Sequence, residues 1–128
     1  MSADYPSMTT AEIRSKFLNF FEERGLKLYP SSSLVPDDPS LLLANAGMNQ
    51  FKEYYQGKKT MKEIGAISCQ KCVRTNDIDC IGEDGRHLSF FEMLGDFSFG
   101  GVSKQQACAW AFELITKEFK LPLDRLYF

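Results

Sequence analysis

Two stretches, Ala66-Ile-Ser-Cys-Gln-Lys-Cys-Val-Arg-Thr75 and Arg86-His-Leu-Ser-Phe-Phe-Glu-Met-Leu94, decide the fold. Each reads as a strand, and a polar stretch carrying Gly82, Asp84 and Gly85 separates them, so together they predict an antiparallel hairpin with a long loop. Alternation sorts the side chains. Gln70, Cys72 and Arg74 share one face of the first strand, while Arg86, Leu88, Phe90 and Glu92 share one face of the second. A hairpin that lays both rows on one surface presents two guanidinium forks, a ring and a carboxylate. That set suits a nucleotide, with arginine on phosphate oxygens and phenylalanine on the base. Surface arginines on hairpins more often only solvate or form weak ion pairs, so the pattern alone leaves the function open.

Working outward, Thr9 and Glu12 form a capping-box pair, and Ile13, Phe17, Phe20, Phe21 and Arg24 follow at spacings of three and four, ahead of Gly25. A helix over Ala11 to Arg24 is expected. Leu26 to Tyr29 reads as short and extended, and Leu41 to Ala44 as a buried strand beyond the turn-forming run Pro36 to Pro39. Asn45 to Met48 reads as a turn and Met48 to Gln56 as a short helix. Ser103 and Gln106 offer a second cap for a helix over Lys104 to Phe119, which Pro122 stops. Arg125 to Phe128 looks like the opening of an apolar strand, so the sequence is expected to be a fragment of something larger.

The chain has 128 residues, with 15 Lys plus Arg against 17 Asp plus Glu, a net of −2 that excludes a basic nucleic-acid coat and an acidic disordered tail. No run of eighteen apolar residues and no basic leader with an apolar core occurs, which points to a cytoplasmic chain without membrane association. Cys69, Cys72, Cys80 and Cys108 are read as free thiols. Cys69 and Cys72 have the spacing of half a zinc site. In a strand they face opposite sides, and no second ligand pair follows, so no zinc is expected. His87 is read as structural, Phe91, Phe97, Phe99 and Trp110 as core, and Lys58, Lys59 and Lys62 as a solvated basic loop. No glycine-rich phosphate fingerprint is present.

Three longer blocks are more specific: Asn45-Ala-Gly-Met-Asn-Gln-Phe-Lys52, Gln70-Lys-Cys-Val-Arg-Thr-Asn-Asp-Ile-Asp79, and Arg86-His-Leu-Ser-Phe-Phe-Glu-Met-Leu-Gly-Asp-Phe-Ser-Phe-Gly100. In this order they resemble the N-terminal catalytic region of alanyl-tRNA synthetases, from about Thr10 to Phe128. The first helix and the serine-proline segment after it are similar to the family's motif 1, and the two hairpin strands to its motif 2. The resemblance implies an α+β fold, the class II synthetase antiparallel sheet flanked by helices, here incomplete. Residues 1–9 would be a flexible N-terminus and residues 10–128 the N-terminal portion of the catalytic domain.

The resemblance also implies the chemistry. Alanine and ATP, with Mg2+ arriving on the ATP, would give alanyl-adenylate, and the alanyl group would pass to tRNA(Ala). Arg74 would be the catalytic residue, on the α-phosphate and the alanine carboxylate, with Arg86 on the γ-phosphate and Phe90 stacked on adenine. Motif 1 would allow a homodimer. Gly95-Asp96-Phe97 stands where the family has glycine-asparagine-phenylalanine, Gly101-Val102-Ser103-Lys104 where aspartate-tyrosine-phenylalanine-lysine usually follows the glycine, and Leu26 where histidine is common. The sequence stops before motif 3 and the alanine-selecting residues, so the segment alone is expected not to aminoacylate. The alternative is a stand-alone, catalytically inactive paralogue that binds a nucleotide or a partner.

Overall fold

In the computed structural model, residues 7–76 and 78–128 are described. Asp77 and most of the expected N-terminal segment 1–9 lie outside them. Helix α1 spans Thr10–Glu22 and starts on the expected device: the Thr9 hydroxyl accepts the Glu12 N–H, while the Glu12 carboxylate takes the Thr9 N–H at 2.7 Å. The chain leaves α1 through Gly25, whose φ of +88° suits a residue without a Cβ. It then enters the two-residue strand β1, Lys27–Leu28. A 3-10 turn, Asn49–Phe51, leads into the short helix α2, Lys52–Tyr55.

Strands β2, Gly65–Val73, and β3, Phe90–Ser98, form the predicted hairpin, and β1 lies on the other side of β2. The sheet is mixed: β1 runs parallel to β2, with Lys27 opposite Ala66, and β3 runs antiparallel, with Gly65 opposite Ser98 and Val73 opposite Phe90. Helix α3, Lys104–Glu113, begins where the Ser103 hydroxyl accepts the Gln106 N–H, and a π-helical turn, Leu114–Glu118, continues it. Lys16 of α1 donates to the Glu118 carbonyl at 3.1 Å, tying the two helices.

The sheet faces are covered differently. Phe17, Phe20 and Phe21 of α1 are buried against Leu26, Ile67 and Leu114, with Leu94, Trp110 and Phe119 at the margin. This apolar cluster fixes α1 and the end of α3 on the side of Ile67 and Leu94. The opposite side carries Ala66, Ser68, Gln70 and Cys72 of β2 with Met93, Gly95 and Phe97 of β3, and the irregular segment 30–51 covers it. There Phe51 packs on Phe97 with ring centroids 4.9 Å apart and on Tyr29 at 5.3 Å.

Three expectations are corrected. Leu41 to Ala44 is not a strand: Leu42 is 89% exposed, and an Asp38-centred turn, in which the Leu41 and Ser40 N–H groups bond back to Asp38, curls the segment. A short apolar run bounded by turn-formers does not tell a strand from a loop that buries one residue, here Ala44. The second hairpin strand begins at Phe90, so Arg86 to Ser89 belong to the loop. Arg125 to Phe128 do not open a strand; a 3-10 turn, Leu123–Arg125, precedes an irregular end.

Candidate functional site

Arg74 follows β2 directly, and its backbone N–H donates to the Ser89 carbonyl at 2.9 Å, which carries the hairpin register one step further. Its side chain is held from two sides. Nε donates to the Asn45 carbonyl at 3.0 Å, and the guanidinium carbon lies 5.3 Å from the centroid of the Phe91 ring. Among the described residues, no side-chain carboxylate pairs with it. With Nε occupied, the Nη edge is left for a bidentate acceptor. A small hollow of about 160 Å³ opens here, lined by Ser40 to Leu43, Asn45 and Val73 to Asn76. It is smaller than a typical ligand cavity, so it would hold a phosphate or carboxylate rather than a whole nucleotide.

The register separates Arg74 from Phe90. Residues directly opposed in an antiparallel pair point to the same side, and here Cys72 opposes Phe91, Val73 opposes Phe90 and Lys71 opposes Glu92. Arg74 therefore shares its face with Gln70, Cys72, Phe91 and Met93. Phe90, 53% exposed, belongs to the helix-covered face, where Glu92 accepts from Arg14 of α1 at 2.6 Å. Arg74 and Phe90 are thus not on one strand face as expected, and Arg86 lies off the strand, on the loop. The reason is a one-residue offset in pairing, which exchanges every side chain between faces.

Arg86 is exposed on the loop, and its N–H donates to the Asp84 carboxylate at 2.9 Å. The same carboxylate takes the His87 N–H at 3.0 Å and contacts the His87 ring Nδ1 at 2.5 Å. These bonds, the His87 backbone bond first, hold the Asp84 carboxyl down at about 2. His87 is thus bonded to Asp84 within a local turn.

A larger cavity, about 660 Å³, lies between the 32–41 segment and α2. Arg74 does not line it. Its walls include Lys52, which pairs with Asp38 at 2.5 Å, an interaction that holds the Asp38 carboxyl well below the usual carboxylate range. The cysteines lie as alternation requires, with Cys69 opposite Leu94 on the helix side and Cys72 opposite Phe91 on the other. Burial pushes both thiols up, which favours the protonated form over the thiolate a metal needs. Among the described residues, no group of three or more His, Cys, Asp or Glu side chains is placed to hold a metal ion.

Sequence reasoning missed Phe91 and the Asn45 carbonyl. An adjacent phenylalanine pair always offers one ring to each face, and choosing between them needs the register. A backbone carbonyl leaves no trace in side-chain pattern. The paired glycine and asparagine of the Asn45 to Met48 turn were the available signal.

The comparisons with known proteins bear on this geometry. The model of the class II (A) tRNA synthetases matches residues 12–128, which takes in Arg74, its hairpin and the turn that holds it. The chain belongs to the class II (A) tRNA synthetases. It is 56% identical over 115 residues to a chloroplastic/mitochondrial alanine–tRNA ligase of Sorghum bicolor, covering 90% of the chain and 12% of that protein. To the alanine–tRNA ligase of a Synechocystis strain it is 52% identical over 126 residues, 98% of the chain and 14% of that protein. An alanine–tRNA ligase of Pseudothermotoga lettingae matches at 52% over 120 residues, 94% of the chain and 14% of the relative. This class II synthetase chain therefore spans about one eighth of the length of these relatives. Among the described residues, no helix is long and apolar enough to cross a membrane.

Proposed function

We propose that this synthetase chain supplies the motif 1 and motif 2 part of an alanine–tRNA ligase, and that Arg74 is the arginine that meets the α-phosphate of ATP. In the reaction an alanine carboxylate oxygen attacks the α-phosphorus, the bond to the bridging oxygen breaks, and pyrophosphate leaves with its electron pair. Two anions approach each other, and charge accumulates on the α-phosphoryl oxygens. A guanidinium already held in place stabilises that charge without reorganising, which matters more here than a proton acceptor. Mg2+ enters with ATP and neutralises the outer phosphates. A ribose hydroxyl at the 3′ end of tRNA(Ala) then attacks the alanyl carbonyl carbon, the bond from that carbon to the phosphate oxygen breaks, and AMP leaves.

The observation that carries this reading is Arg74 itself, fixed through Nε on the Asn45 carbonyl and lining a hollow of phosphate size. Register favours Phe91 as the ring that accompanies it, against Phe90 from the resemblance. The proposed contact of Arg86 with the γ-phosphate comes from the resemblance; Arg86 itself lies exposed on the loop before β3. Homodimer pairing through α1 and residence in the cytoplasm belong to the same proposal; relatives include bacterial and chloroplastic/mitochondrial enzymes.

Calorimetric titration of the chain with ATP and with adenosine tests the assignment. Arg74→Ala is expected to weaken ATP about 10- to 100-fold, the range of hydrogen bonds to charged groups, and to leave adenosine unchanged. Equal affinity of wild type and variant for ATP would remove Arg74 from the site. Alanine-dependent pyrophosphate exchange by the chain alone is expected to be absent.

A further inference from the structure

We infer that Gln70 is a positioning residue that aims Arg74 through the backbone of the Asn45 to Gln50 turn; this rests on the nucleotide reading of Arg74 and deepens it. Gln70 is 1% exposed, on a strand face shared with Ala66 and Cys72. A buried amide costs free energy unless all its bonds are made, and an apolar residue would carry no such risk there. Its use is direction. Oε1 accepts from the Ser32 N–H at 2.9 Å, the Ser32 hydroxyl at 3.1 Å and Gln50 Nε2 at 3.1 Å. Nε2 donates to the Ser32 carbonyl at 3.2 Å and the Lys71 carbonyl at 2.8 Å. One amide therefore fastens both limbs of the covering segment, residues 30–33 and 45–50, to the sheet.

The turn so fastened rests on the sheet itself. A Cβ at Gly47 would meet the Phe97 ring at 3.3 Å, the Met93 sulfur at 3.7 Å and the Gln70 Cβ at 3.8 Å. Asn49 Nδ2 donates to Asn45 Oδ1 at 3.2 Å and closes the turn. From its near end, the Ala44 carbonyl accepts the Val73 N–H at 2.9 Å and the Asn45 carbonyl accepts Arg74 Nε at 3.0 Å. Gln70 and Arg74 lie four residues apart on one strand line and are linked through this turn. Loosening the amide frees the carbonyl that sets the angle of the guanidinium.

Gln70→Met keeps length and volume while deleting the amide. The Arg74 Nε–H, read in 15N-resolved spectra at mildly acidic pH, is expected to exchange with water about tenfold faster in the variant, as one hydrogen bond is lost. ATP should bind about tenfold more weakly, adenosine unchanged, with no further loss when Gln70→Met is added to Arg74→Ala. An unchanged Nε–H, equal weakening of ATP and adenosine, or additivity with Arg74→Ala overturns the inference, since a purely structural role gives the last two. If Gln70→Met does not fold, Gln50→Leu removes one partner of the amide and should give the same pattern at about threefold; no change in its Nε–H also overturns the inference. Failure of the unaltered chain to bind ATP overturns the nucleotide reading, whereas the Nε–H measurement still decides whether Gln70 orients Arg74.

Discussion

The two faces of the β2–β3 hairpin differ in how they are held: rings pack on both, and a network of side-chain hydrogen bonds is added on one. On the side of Ile67, interlocked rings do the work: Phe17 and Phe20 each contact Phe21 edge-on with centroids 5.0 Å apart, and Trp110 closes on Phe21 at 6.4 Å. Apolar burial has no preferred direction, so this face fixes where α1 lies and aims nothing. On the side of Gln70, the buried Phe51 ring packs on Phe97 and Tyr29, and the largely irregular segment that carries it is fastened in addition by hydrogen bonds, which fix angles. The Arg74 guanidinium is aimed by this second face. Ring packing should therefore contribute stability on both sides of the sheet, whereas the bonds that set substrate geometry lie on the Gln70 side alone.

The largest separation of the two should come from Phe21→Ala. It opens a cavity in the ring cluster and is expected to cost about 3–5 kcal/mol in chemical denaturation, a large share of a domain's total. A loss well under 1 kcal/mol would show that the ring cluster is not the main source of stability. Next is Gly95→Ala, on the opposite face, where the added Cβ would meet the Phe97 ring at 2.5 Å. Displacing that ring should cost about 1–3 kcal/mol and also disturb the Gly47 turn. An ATP affinity unchanged in a destabilised variant would separate the Phe97 ring from the site.

Thr9→Ala removes one half of the capping box of α1 and should cost about 1 kcal/mol without changing ATP affinity. A change in ATP affinity would mean that α1 reaches the site. The smallest effect belongs to the loop that carries Arg86. The Asp84 carboxyl is depressed in the folded chain to about 2, so its contribution is present above its unfolded value of about 3.9 and disappears as pH falls through about 2. An NMR titration of Asp84 should find its midpoint near 2, and Asp84→Asn should flatten the acid limb of the stability profile. A midpoint near 4 would mean that the turn around His87 is not formed.

Local chemistry was legible in the sequence, and pairing was not. The caps at Thr9 and Ser103 depend on residues three apart, and the α1 stripe on a helical period, so both could be read directly. The hairpin was also legible, because strand-forming runs flank a polar connection. Its register was not: nothing in Phe90-Phe91 tells which ring opposes Cys72, and extending the strand to Arg86 carried the alternation into a loop. Leu41 to Ala44 failed differently, since apolarity alone does not show that a segment has a strand to pair with. Gln70 could be placed on the Arg74 face by alternation, but its partners Ser32 and Gln50 lie far away in sequence and become neighbours only through the fold.

The architecture of the site turns on Phe91, rather than Phe90, sharing a face with Arg74. The direct measurement is the ATP affinity of Phe90→Ala and Phe91→Ala by calorimetry, with folding of each checked by thermal unfolding. The register predicts about a tenfold or greater loss for Phe91→Ala, the size of a stacking or cation–π contact, and little change for Phe90→Ala. A loss confined to Phe90→Ala would contradict it.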